Sequence, residues 1–232
     1  MANTKTDVHV YDANLNFNAD LQEFFENDSL VIATRFFRNK ELFAQLVDQI
    51  VPEMMEDGLP IPNELRIWSA GCSDGRETYS LVMAVRKKLD ELGHSNVRIL
   101  ARGSDLNRPL IDKARRGDYT ISKNDLSTLE PYKGYFNHTG KTSWQVSSAI
   151  KRQTRFYVED ITHANYEQKF DILVCSLVIL YYHPDIQKII IKQLLESLQP
   201  NGYFFVAPVG RKWLKSVGYA PIPGGGPFFG AI

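Results

Sequence analysis

The sequence predicts an α/β protein built on a mostly parallel sheet. Three observations lead there. Apolar runs of strand length alternate with amphipathic stretches of helix length, the pattern of strand–helix–strand units. The run Leu65-Arg66-Ile67-Trp68-Ser69-Ala70 passes into a small-residue loop, Gly71-Cys72-Ser73-Asp74-Gly75, and then a helix from Arg76. Phe170-Asp171-Ile172-Leu173-Val174-Cys175 is almost continuously apolar, as a central parallel strand should be.

The elements follow in order. Ala19 to Phe25 reads as a short helix. Leu42, Phe43, Leu46, Val47 and Ile50 share one face of a helix from about Asn39 to Val51, with Asn39 as N-cap and Pro52 as stop. After the strand at Leu65 to Ala70, the helix from Arg76 runs to about Leu92 and ends at Gly93. Val97 to Gly103 is a second strand, and Asn107 and Pro109 open a helix that ends near Gly117. Residues 132–157 are polar and alternate at Trp144-Gln145-Val146, which predicts a small antiparallel insert. Beyond the central strand come a helix from Pro184 to Leu198, a turn at Pro200-Asn201-Gly202 and a strand from Tyr203 to Ala207. The reading gives a short arm over residues 1–33 and one domain over 34–232.

Composition narrows the function. The 232 residues suffice for one full α/β domain. Lys and Arg number 27, as do Asp and Glu, so no global charge recruits nucleic acid or an anionic membrane. Two cysteines, Cys72 and Cys175, argue against a disulfide framework and for a reducing compartment. The N-terminus has no apolar signal core and no window is long enough to span a bilayer, so the expected location is cytoplasmic. The five histidines show no metal-ligand spacing.

The Gly71–Gly75 loop is the chemical centre. A loop leaving a parallel strand and feeding a helix N-terminus is where α/β proteins hold nucleotide-type ligands. Its spacing is neither G-x-G-x-x-G nor the G-K-[ST] phosphate cradle. Asp74 and Glu77 argue against a polyphosphate and suit a ligand carrying an ammonium or sulfonium charge, such as S-adenosylmethionine. Asp105 closes the second strand, where an acid accepts from a ribose diol; alternatively it caps the next helix. Asp160 suits an adenine amino group, with Ile161 packing on the ring. Glu77 either complements the helix dipole or contacts the charged end of the ligand. Cys72 reads as a small loop residue, with no histidine in the motif to activate it.

Four motifs in fixed order resemble the chemotaxis receptor methyltransferases of the CheR type. Thr34-Arg35-Phe36-Phe37-Arg38 resembles T-x-F-F-R, and Trp68 to Ser80 resembles W-S-A-G-C-S-x-G-E-E-P-Y-S. Ser104-Asp105-Leu106-Asn107 with Lys113 to Tyr119 resembles D-I-D…K-A-R-x-G-x-Y, and Phe170 to Tyr182 resembles F-D-x-I-x-C-R-N-V-x-I-Y-F. The resemblance implies a Rossmann-like S-adenosylmethionine-dependent methyltransferase fold with a small antiparallel β-subdomain. It implies esterification of receptor glutamates, S-adenosylhomocysteine as product, and as partner a protein substrate such as the cytoplasmic part of a chemoreceptor. It places Thr34, Ala70, Gly71, Gly75, Glu77, Asp105, Leu106, Asp160, Ile161, Ser176 and Leu177 around the cofactor. It gives Arg38 the incoming carboxylate and Tyr181 the methyl-transfer channel; otherwise Arg38 is a surface ion pair and Tyr181 a core aromatic.

The departures are specific. Ser176-Leu177 replaces the family's Arg-Asn pair, Arg76 and Thr78 replace Glu and Pro, and Asn107 replaces the second acid of D-x-D. The polarity lost at Ser176-Leu177 and an N-terminal region that reads as only a short arm motivate an alternative, a non-catalytic module that binds S-adenosylmethionine or S-adenosylhomocysteine, or docks a partner.

Overall fold

Ten strands appear in the computed structural model, which describes residues 34–56, 62–163, 169–176, 178–206, 211, 214, 218–223 and 226–231. In chain order they are β1 (Glu64–Ala70), β2 (Arg98–Asp105), β3 (Asp118–Thr120), β4 (Phe136–His138), β5 (Ser143–Val146), β6 (Thr154–Val158), β7 (Phe170–Cys175), β8 (Leu198–Val206), β9 (Tyr219–Pro221) and β10 (Phe228–Ala231). The helices are α1 (Lys40–Gln45), α2 (Val51–Met54), α3 (Arg76–Glu91), α4 (Arg108–Arg116), α5 (Lys123–Leu129), α6 (Ser148–Lys151) and α7 (Pro184–Glu196). The arm over 1–33, with the helix expected at Ala19 to Phe25, lies outside the described residues.

Seven strands form the main sheet in the order β6-β2-β1-β7-β8-β10-β9. From β6 to β8 all neighbours are parallel, and β10 runs antiparallel to β8 and β9. The chain builds outward from β1 through β2 to β6, then returns to set β7 on the other side of β1. The carboxyl ends of β1 and β7 therefore flank the switch point, where such sheets open a ligand crevice.

Strand alternation splits the core in two. Leu65 and Ile67 face one side with Val82, Val85, Ile99 and Phe156. Trp68 and Ala70 face the other with Leu173, Cys175, Ile190 and Phe204. The Trp68 indole N–H donates to Ser104 Oγ at 2.9 Å, so a fully buried ring keeps a partner. Tyr79 on α3 donates to the Ala114 carbonyl on α4 at 2.8 Å, which locks these two helices together.

Local signals explain most element ends. Asn39 caps α1 by accepting from Leu42 N at 3.1 Å, and Asn107 caps α4 by accepting from Leu110 N at 3.0 Å. Gly93 and Gly117 stop α3 and α4 in left-handed conformations. Pro52 does not stop its helix. A π-turn at Leu46–Ile50 shifts the hydrogen-bond register, and Pro52 falls in the first turn of α2, where its missing N–H costs little. Pro200-Asn201-Gly202 is not a separate turn. It bulges within β8, whose pairing with β7 jumps from Phe170↔Leu198 to Ile172↔Tyr203. The β9–β10 hairpin gave no sequence signal; Pro221 is tolerated because β9 is an edge strand.

Residues 132–157 divide between two sheets. β4 and β5 join β3 in a small antiparallel sheet of order β3-β5-β4, while β6 pairs with β2 at the edge of the main sheet. Tyr119 of β3 sits beside Trp144 of β5. Phe36, ahead of α1, packs edge-on to Tyr119 and Phe136 at 5.0 and 5.2 Å, which bolts the small sheet to the body.

Gly71 lies at a close approach of the loop to the turn after β7. It has φ of +75°, and a Cβ there would lie 2.5 Å from Val178 Cβ. Gly71→Ala is expected to lower unfolding free energy by about 1–3 kcal/mol, from left-handed strain and the clash together. Urea denaturation measures it; an unchanged midpoint contradicts this packing.

Candidate active site

The crevice floor is the Gly71–Gly75 loop. Gly71 and Cys72 donate their backbone N–H groups to the Ser104 carbonyl at 2.8 and 2.9 Å. Ser73, at φ of 52°, donates its N–H to Asp105 Oδ2 at 2.8 Å, and Asn107 donates its N–H to Asp105 Oδ1 at 2.9 Å. Asp105 thus ties the loop to the turn ahead of α4. It is not the cap of α4, since the Asn107 side chain fills that position. Burial raises the Asp105 carboxyl above the usual range, and the backbone N–H groups pull it back. The Cys72 thiol is buried and pushed well up by desolvation and by the Asp105 and Glu77 charges. It is no nucleophile.

Glu77, in the first turn of α3, sits between two strand ends. Ser69 of β1 donates to its Oε1 at 2.7 Å, and Ser176, just past β7, donates to its Oε2. Burial pushes this carboxyl up, while the two hydroxyls and the nearby Arg38 charge hold it down. Ser176 therefore has a defined partner. Ser69 escaped the sequence reading; its only signal was a polar residue at the end of a buried strand.

Arg38 reaches the same place through an anchored segment. Thr34, Arg38 and Glu77 line one cleft with Leu42 and Phe43. Phe37, at φ of 51°, donates its N–H to Ser80 Oγ at 3.0 Å, and its ring stacks on Tyr132 at 4.0 Å. Arg76 donates to the Thr34 carbonyl at 3.2 Å and lies 4.9 Å over the Tyr119 ring.

Asp74 departs from its expected role. Its carboxylate is 1% exposed and pairs with Arg76 at 3.0 Å and Lys113 at 2.8 Å. Its charge is spent inside the protein, so Glu77 alone of that pair can meet a cationic ligand. Arg76, a departure from the family motif, is the partner that makes this possible.

Ala70 ends β1 in the core, and Gly75 opens α3 at φ of +87° against Ala114. Leu106 packs on the core cluster that contains Ile161. Asp160 Oδ1 accepts from the Thr162 N–H at 2.8 Å and from its hydroxyl at 2.7 Å. Tyr181 closes the 3₁₀ turn Val178–Tyr181, whose first residue packs on Gly71. Leu177 lies outside the described residues.

A family model for the SAM-binding domain of CheR methyltransferases matches residues 33–209. The chain belongs to the CheR methyltransferase family. It is 30% identical to chemotaxis protein methyltransferase 1 of Pseudomonas aeruginosa, over 75% of this chain and 64% of that protein. The chemotaxis protein methyltransferase of Listeria monocytogenes is also 30% identical, over 80% of this chain and 67% of that one. For chemotaxis protein methyltransferase 1 of Vibrio cholerae the identity is 27%, over 82% and 68%. The match thus spans about two-thirds of the length of these relatives. Among solved structures, a magnesium protoporphyrin IX methyltransferase from Synechocystis PCC 6803 with bound SAM shares 18% identity, over 91% of this chain and 90% of that one, with a TM-score of 0.47.

The crevice fits the cofactor of the CheR family on its donor set. S-adenosylmethionine has a cationic end, a ribose diol and a purine. The crevice offers a buried carboxylate at Glu77, a second at the end of β2, and the apolar Leu106 and Ile161 beside Asp160. No helix among the described residues is long and apolar enough to cross a membrane.

Asp74→Asn is expected to leave Arg76 and Lys113 without their counter-charge. Since Lys113 is partly exposed, the loss should be about 1–3 kcal/mol rather than the larger figure for a fully buried pair. Chemical denaturation reads it. Unaltered stability would mean that the triad does not hold the Thr34–Arg38 segment.

Proposed function

We propose that this chain transfers a methyl group from S-adenosylmethionine to a carboxylate, the glutamate side chains of a chemoreceptor-like protein being the acceptor. One observation carries the reading: Arg38 and Glu77 line the same cleft. The cleft has a cation for an incoming carboxylate and an anion for a cationic cofactor. The family membership and the chemotaxis methyltransferase relatives support it.

Each residue has a part in this reading. Glu77 attracts the ammonium and sulfonium end, and Ser69 and Ser176 aim its carboxylate. Asp105 accepts from the ribose hydroxyls with lone pairs left over from Ser73 and Asn107. Asp160 and Ile161 take the adenine edge and face. Arg38 orients the acceptor carboxylate by its planar fork. Tyr181 lines the channel toward the sulfur.

When bound, the cofactor supplies a methyl group on a positively charged sulfur. An acceptor glutamate, with a reference pKa of about 4.3, is already ionised at neutral pH and needs no general base. Arg38 would hold the acceptor carboxylate in line with that methyl group, and no proton would need to move. Both charges shrink on the way, so alignment and a dry cleft carry the rate. Phe37, Leu42 and Phe43 give the cleft apolar walls.

Arg38→Ala tests the role of the cation. Labelled-methyl transfer to chemoreceptor fragments is expected to fall by about a hundredfold, with the melting midpoint nearly unchanged. Normal transfer with a large drop in melting would make Arg38 structural. Cofactor binding by the native chain without transfer to any carboxylate acceptor would make it a binding module instead.

A further inference from the structure

The second face of the sheet is covered only in part. Toward β7 and β8 it is buried, and Trp68 packs there in a cluster with Leu173, Ile190 and Leu194. Toward β2 and β6 it opens. Four large hydrophobics are highly exposed among the described residues, and two of them, Leu100 and Tyr157, lie here at 41% each. The rows of this face are in register: Glu64 beside Arg98, Arg66 beside Leu100, Trp68 beside Arg102, and Arg102 beside Arg155. An open groove is lined by Arg66, Leu100, Arg102, Arg152, Arg155 and Tyr157.

The charge here is one-sided. Arg66 and Arg98 share Glu64, at 2.8 and 2.7 Å. Arg102 donates to both oxygens of Glu159, at 2.9 and 2.7 Å, and lies 3.8 Å over the Tyr157 ring. Asp171 accepts from the Arg66 backbone N–H at 2.7 Å. Arg155 reaches only the carbonyls of Arg152 and Thr154, and neither Arg152 nor Arg155 has a carboxylate partner among the described residues. Among the described residues, five guanidinium groups thus meet three carboxylates on a face that also leaves a leucine and a tyrosine partly in water.

We propose that this groove binds an acidic, partly apolar peptide segment of a partner protein. Exposed arginine and tyrosine around an apolar floor are the composition of a protein interface. The planar forks of Arg152 and Arg155 suit carboxylates, and the Leu100 and Tyr157 side chains suit an apolar residue between them. An extended segment lying along the strands presents same-face side chains about every 7 Å, the spacing of same-face rows on β2 and β6. A nucleic acid fits less well. Its affinity comes from a run of phosphate contacts, whereas Arg66, Arg98 and Arg102 are already balanced and the chain has no net charge. The proposal does not depend on methyl transfer.

The test is a fluorescence anisotropy titration of the full chain with the labelled peptide Glu-Glu-Leu-Glu-Glu-Leu-Glu-Glu. Saturable binding that weakens with added salt is expected. R152E/R155E should weaken it by at least about tenfold while its melting curve stays native. R152Q/R155Q serves as the milder variant should the charge reversal misfold, and it should weaken binding in the same direction. Equal affinity for native and variant chains, or no saturable binding, overturns the proposal. So does tighter binding of an oligouridylate of equal charge that the same substitutions abolish, which would assign the groove to nucleic acid.

Discussion

The buried carboxylate of Glu77 is the constraint on which the site depends. Burying a charge is costly unless hydrogen bonds or a counter-charge answer it. Here Ser69 and Ser176 answer it from the ends of β1 and β7, the two strands that border the switch point. One side chain thereby fixes the start of α3 against both strands. Its acid is raised by burial and restrained by the hydroxyls and by Arg38. Both hydroxyls are neutral, so they orient the carboxylate without neutralising it as a buried counter-ion would. Ser176, where the resembled motif has arginine, donates to Glu77.

A second buried carboxylate does the opposite. Asp74 is held by two cations, Arg76 and Lys113. Arg76 also reaches the Thr34 carbonyl and the Tyr119 ring. These contacts carry the Thr34–Arg38 segment to the crevice and seat it against the small sheet, together with Phe36 on Phe136 and Phe37 on Tyr132. Asp105 then joins the glycine loop to the next strand-to-helix turn. The three carboxylates have distinct tasks because their partners differ: hydroxyls for Glu77, cations for Asp74, backbone N–H groups for Asp105.

Much of this was legible in the sequence for physical reasons. Phe170 to Cys175 is read as a strand because burial on both faces demands continuous apolar character, and Leu65 to Ala70 because it runs straight into the small-residue loop and a helix. Asn39, Asn107, Gly93 and Gly117 mark helix ends because caps and left-handed turns select those residue types. What escaped depends on tertiary partners. Asp74 looks available for a ligand until Arg76 and Lys113 fold onto it. Pro52 reads as a stop because a π-turn has no periodic signature. Pro200-Asn201-Gly202 reads as a turn, although pairing with β7 continues on both sides of it. The small sheet draws on β3, outside the stretch that alternates, so its full extent follows from packing on Phe36 and not from pattern.

In the proposed reading, the buried Glu77 carboxylate serves the cofactor at the expense of the fold. Its raised carboxyl fixes the sign. A folded-state pKa above the unfolded value adds stability in the protonated form at low pH, and that stability is lost as pH rises through the folded-state value. Wherever Glu77 is ionised, its charge opposes folding. Glu77→Gln keeps the shape and removes the charge. Calorimetric titration with S-adenosylmethionine at neutral pH, paired with a melting curve, measures both sides. The account predicts cofactor affinity at least about tenfold weaker with a melting midpoint equal to or above that of the native chain. Unchanged affinity, or a midpoint that falls along with the affinity, would contradict it.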